Sequence, residues 1–198
     1  HWRDWSSDVC SSDLVQASIN RVDPKTGVME QYARGVRNSV GMDINPKDKT
    51  VWFTDNQTDG MGDEIPPGEL NRVTKAGGEH FGYPFIHGNN VQIAGTAAAP
   101  DLKGMSPPAQ WTKPQIEFPA HQAQLGMSFY NGRMFPAKYQ GGVFVASHGS
   151  DRVKASGGLV NFVPIKADGT AGASTVSRRG SNGVGMMYFG PNFSAAPP

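Results

Sequence analysis

Turn residues recur so often along this chain that few stretches are long enough for a regular helix. Glycine (25) and proline (15) make about a fifth of the 198 residues, against roughly 12% in an ordinary globular chain. Between them lie short strand-like runs, each closed by turn chemistry. Ile19-Asn20-Arg21-Val22 ends at Asp23-Pro24-Lys25-Thr26-Gly27, where proline presets φ and glycine supplies a positive φ. Val40-Gly41-Met42-Asp43-Ile44 alternates apolar and polar residues, turns at Asn45-Pro46-Lys47-Asp48 and continues as Val51-Trp52-Phe53-Thr54. Leu70-Asn71-Arg72-Val73 repeats the first pattern, and Met127-Ser128-Phe129-Tyr130 precedes the hairpin signal Asn131-Gly132. Gly142-Val143-Phe144-Val145-Ala146 and Leu159-Val160-Asn161-Phe162-Val163 follow. No segment of helical length keeps a clean 3.6-residue apolar period.

A strand ending in Asn-Arg-Val or Asn-Phe-Val, then a Pro or Gly turn, recurs near residues 19–27, 70–78 and 160–169. Hairpin repeats without helices point to an all-β chain, and the recurrence favours a β-propeller over the alternative, a β-sandwich. Residues 89–118, rich in Ala, Pro and Gly, read as an irregular insertion. No run of about 18 apolar residues occurs, so no membrane span is expected.

Residues 4–14, Asp-Trp-Ser-Ser-Asp-Val-Cys-Ser-Ser-Asp-Leu, match residue by residue one translated frame of a short-read library adapter. Residues 1–14 are therefore set aside as a non-native segment. The single cysteine, Cys10, goes with them, and with it any disulfide, thiolate metal site or cysteine nucleophile. The whole chain carries 18 basic and 17 acidic residues; without the segment, 17 and 14 remain. That mild balance, with no basic–aromatic interleaving, gives no electrostatic footprint for nucleic acid. The junction before Val15 also marks the chain as an expected fragment of a longer protein.

Two stretches could carry chemistry. In Arg34-Gly35-Val36-Arg37-Asn38-Ser39-Val40-Gly41-Met42, a planar Arg fork beside a carboxamide could hold an anionic planar ligand. Equally, Arg37 could be a solvated strand-edge residue and Asn38 a turn residue. In Asp55-Asn56-Gln57-Thr58-Asp59-Gly60-Met61-Gly62-Asp63-Glu64, the density of oxygen donors suits a hard cation such as Ca²⁺, although an acidic solvated loop has the same composition. The loop is not an EF-hand, because Pro66 stands where its twelfth-position Glu would be. His80, His87, His121 and His148 show no zinc spacing, and Ser147 lacks a nucleophile elbow.

These stretches, in this order, resemble the glucose/sorbosone dehydrogenase family of soluble quinoproteins, the sorbosone-type branch most of all. The residues that carry the resemblance run from Ala33 to Pro46, through Val51–Asn56, Gly62–Val73 and Gly78–Pro84, then Pro119-Ala120-His121, Leu125–Tyr130 and Ala146–Ser150. The resemblance implies a partial six-bladed β-propeller with about three to four blades, spanning residues 15–170 and leaving 171–198 as a divergent tail for which an altered reading frame is one account. It implies pyrroloquinoline quinone (PQQ) and Ca²⁺ as cofactors, a sugar or aldehyde substrate, an external electron acceptor and a periplasmic location. Carried over by position, Arg37 and Asn38 match the family's quinone-contacting pair, and the carbonyls of Gln57 and Thr58 fall where its Ca²⁺ ligands lie. His121 falls near a polar cofactor contact, and Arg152 is the nearest cation to the family's cofactor lysine. The family's catalytic His lies on an earlier blade, upstream of Val15, so no catalytic residue is assigned here and the fragment is expected to be inactive. The alternative is a non-catalytic propeller used as a binding module.

Overall fold

The structure is a computed structural model that describes residues 17–94, 106–149 and 158–179. The adapter-like segment and Arg152 lie outside them. Every regular element among the described residues is a strand, apart from a single 3-10 turn at Ala137–Tyr139. Strands β1 (Ser18–Val22) and β2 (Met29–Arg34) form a hairpin. Strands β3 (Met42–Ile44), β4 (Val51–Asp55) and β5 (Gly68–Val73) build an antiparallel sheet. A short β6–β7 ribbon (Ile86–His87, Val91–Gln92) follows, and β8 (Ile116–Phe118) adds the fourth strand beside β5. The second four-stranded sheet is a meander of β9 (Gln124–Phe129), β10 (Val143–Ser147), β11 (Leu159–Val163) and β12 (Thr175–Arg179).

The sequence repeat has a structural address. Its three copies are β1, β5 and β11, and the latter two are the third strands of their sheets. By that register the β1–β2 hairpin corresponds to the third and fourth strands of a sheet of the same kind. Among the described residues there are thus two complete four-stranded blades and the outer half of another, part of a β-propeller whose described sheets do not close into a ring.

Alternation along each strand decides what packs where. Trp52 and Leu70 share one face of the first sheet and meet Met127, Phe129, Val143, Val145 and Val163 of the second. Trp52, fully buried, stands edge-on to Phe129 with ring centroids 5.7 Å apart. Phe53 and Val73 lie on the opposite face and pack under Ile19, Ala33, Val36 and Phe81. Each such side chain, once buried, contributes about 1.5–3 kcal/mol.

Two stretches carry strands that their composition does not announce. Within residues 171–198, β12 pairs with β11 out to Arg179. Its sequence, Thr-Val-Ser-Arg-Arg, is that of an outer edge strand, with too few apolar residues to signal itself. The stretch 89–118 is not wholly irregular either: β8 occupies its end, three residues long with Glu117 at its centre, too short to show a period.

Candidate cofactor and cation site

The last residues of β4 and those just beyond it tie four segments together. The Thr54 hydroxyl accepts from the Gly41 amide (3.0 Å) and donates to the Leu125 carbonyl of β9 (2.8 Å). Asp55, next along, is buried; its carboxylate accepts from the backbone N–H groups of Arg37 (3.0 Å) and Asn38 (2.6 Å). Asn56 returns a backbone N–H to the Asn38 carbonyl (3.0 Å), and its amide donates to the Gln124 carbonyl (2.9 Å). Gln57 donates from Nε2 to Asp55 (3.1 Å), which turns its Oε1 toward His87 Nδ1 at 2.5 Å. That network assigns the proton to Nδ1 and leaves His87 Nε2 bare.

Arg37 and Asn38 thus stand directly against the 55–57 strand end. The guanidinium is half-buried and donates one Nη1–H to the Asn56 carbonyl (3.0 Å), leaving its other donors for a ligand. Gln57 and Thr58 come next, half-buried, and among the described residues no donor is paired with either backbone carbonyl. His121, at positive φ between β8 and β9, reaches across to the same loop. Its Nδ1 lies 3.1 Å from Asp59 Oδ1 and its Nε2 donates to the Gly62 carbonyl at 2.7 Å. Five of the six candidate residues therefore gather at one end of the two sheets; the sixth, Arg152, lies outside the described residues.

Sequence reasoning missed what lies beneath. Asp55 faces Glu69 directly across β4 and β5. Glu69 is also buried and accepts from the Gly88 amide (2.7 Å) and the Asn71 amide (2.9 Å). Burial pushes both carboxyls above the ordinary carboxylate range, and for Glu69 the facing Asp55 charge adds to the rise. Burial, helped by the nearby Arg37 charge, pulls His87 down to about 4. A Glu beside Leu in a strand was a visible hint, but the pairing needs the strand register, which sequence does not disclose.

The other histidines are engaged structurally. His80 is packed on Gly35, its Nδ1 accepts from the Gly82 amide (3.0 Å), and burial lowers it to about 4. His148 Nδ1 lies 2.9 Å from the Gly149 carbonyl.

Fold and site together define an incomplete β-propeller with a basic–amide turn fixed against an oxygen-rich loop. A sequence profile described as Glucose / Sorbosone dehydrogenase matches residues 14–156, and the chain belongs to that family. An uncharacterised protein of Borreliella burgdorferi is 42% identical over 136 residues, which are 68% of this chain and 34% of that one. The holo form of the pyranose dehydrogenase PQQ domain from Coprinopsis cinerea aligns with a TM-score of 0.61 at 17% identity, over 89% of this chain and 51% of its own. A calcium structure of the Trichoderma reesei carbohydrate-active enzymes family AA12 aligns with a TM-score of 0.56 at 19% identity, over 80% of this chain and 44% of its own. The chain therefore spans about a third of that relative and about half of the solved structures, whose likeness shows the fold.

Proposed function

We propose that this chain supplies the quinone-contacting turn and the cation loop of a PQQ- and Ca²⁺-dependent dehydrogenase that oxidises an aldose or related sugar aldehyde. The observation that carries the reading is the joint fixation of Arg37, Asn38 and Gln57 by the Asp55 carboxylate at the end of β4, with Thr58 the next residue along. The donor set fits both groups. A guanidinium with spare donors and a neighbouring carboxamide suit a planar, polyanionic quinone. Carbonyls without donors in an irregular, oxygen-rich loop suit a hard cation. Asn56 Oδ1 and Gln124 Nε2, buried and unpaired within the same network, add polar capacity at the turn.

When bound, the quinone supplies a hydride acceptor and the cation a Lewis acid beside it. Arg37 and Asn38 orient the quinone through charge-assisted and amide hydrogen bonds, and Gln57 and Thr58 hold the cation through their carbonyls. His121 braces the loop from the neighbouring blade, and Arg152 is a further cofactor contact. An external electron acceptor completes the partners, and we place the reaction in the periplasm. Each described histidine has a ring nitrogen bonded or lying against a neighbouring group, and His80 and His87 are weak bases as well. No described histidine is assigned here as the base that takes the substrate's hydroxyl proton.

Fluorescence titration of the full chain with PQQ, with and without Ca²⁺, tests this. Calcium-dependent uptake is expected, and Arg37→Ala should weaken it about ten- to a hundredfold, as loss of a charge-assisted hydrogen bond implies. No uptake by the folded chain would leave a binding module of other purpose as the better account.

A further inference from the structure

We propose that Asp55 is a positioning residue whose carboxylate sets the backbone geometry of Arg37 and Asn38, and so aims both side chains at the cofactor. The proposal rests on the reading of those two residues as quinone contacts.

The Arg37 N–H belongs to the peptide plane before its Cα, and the Asn38 N–H to the plane after it. Both bond one carboxylate, Oδ2 and Oδ1 respectively. Two fixed planes flanking one Cα determine its φ and ψ, and hence the direction of its Cβ. The next plane is fixed as well, because the Asn38 carbonyl accepts from the Asn56 backbone N–H at 3.0 Å and from its side-chain amide at 3.3 Å. Three consecutive peptide planes are thus held by two consecutive residues of the β4 end. Asp55 in turn cannot drift: it is 1% exposed, belongs to a paired strand, and accepts from Gln57 on the same oxygen that holds Arg37. A carboxylate is suited to this because its two oxygens can take two diverging backbone donors at once. One strand end thereby carries both the clamp on the turn and, two residues on, the start of the cation loop, so the spacing between them is built into the chain.

The test uses the full chain and compares it with Asp55→Asn, which keeps one carbonyl oxygen and turns an NH₂ toward the other donor. Residue-resolved amide exchange should quicken about tenfold at Arg37 and Asn38, while Val145 in the neighbouring sheet stays unchanged. PQQ affinity should fall by a similar factor, and Arg37→Ala should cost less in the Asp55→Asn background than alone. Unchanged exchange at Arg37 and Asn38 would overturn the proposal. So would exchange that rises equally at Val145, since that marks a residue of general stability. If the variant does not fold, the unsubstituted chain decides: scalar couplings across the hydrogen bonds, from the Arg37 and Asn38 amide nitrogens to the Asp55 carboxyl carbon, are expected, and their absence sinks the idea. A folded chain whose exchange behaves as expected but that never takes up the quinone would overturn the functional reading and leave the clamp intact.

Discussion

At the scale of single residues, His80 shows how a buried base couples pH to folding. Its Nδ1 accepts the Gly82 amide hydrogen, so protonation there breaks a bond as well as charging a site that burial disfavours. The unfolded chain binds that proton near 6.5 and the folded chain only near 4. Between those values the unfolded state carries more protons, and stability falls as pH falls. The contribution is complete above about 6.5 and is lost toward about 4. His80→Asn, which can still accept from Gly82, should flatten this part of the acid limb in melts recorded against pH. An unchanged limb would mean that His80 is not its source. Asp55 and Glu69 act in the opposite sense: their raised carboxyls favour the folded state at low pH and oppose it as pH climbs past the ordinary carboxylate range. Arg37, Asn38 and the 55–64 loop were legible because residue types alone announce donors and oxygens. The Asp55–Glu69 pairing and the reach of His121 were not, because each joins segments whose approach only strand register and blade packing define.

At the scale of elements, the seam between the two four-stranded blades is the clearest finding. Asp43 accepts the Phe129 N–H at 2.8 Å, Thr54 reaches Leu125 and Asn56 reaches Gln124, with Trp52 and Phe129 packed between. Gly41 permits this approach, since an added Cβ would collide with the Leu125 carbonyl oxygen. Gly126 lies on the same strand with open space around its missing Cβ. Gly41→Ala should therefore lower stability by about 1–3 kcal/mol through overpacking, whereas Gly126→Ala should stay within about 0.5 kcal/mol of the parent. Equal effects in denaturant melts would refute a close seam. Strands that are short apolar runs closed by turn residues, in β3–β5 and β9–β11, could be read from sequence. The outer strands β8 and β12 could not, because a half-solvated edge needs few apolar residues.

At the scale of the molecule, the blades leave apolar surface that nothing among the described residues covers. Met42 and Ile44 are 49% and 55% exposed on the face where the β1–β2 hairpin shelters Val51, Phe53 and Val73. Exposed apolar faces and unpaired edges favour association. Sedimentation of the full chain should show concentration-dependent self-association, reduced by the double change Met42→Thr and Ile44→Thr. A monomer that melts sharply at high concentration would refute this. The propeller itself was legible because the Asn-x-Val repeat marks the third strand of successive sheets; the number of complete blades was not, since a repeat shows periodicity but not which neighbours each copy has.

The inter-blade seam has one more consequence. Apolar packing alone lets two sheets slide, because it has no direction. Here polar stitches at Gln124, Leu125 and Phe129 fix the offset at three points along β9. Asn56, which holds the Asn38 carbonyl, is itself one of those stitches, so the Arg37–Asn38 turn is indexed to the neighbouring blade like a tooth in a rack.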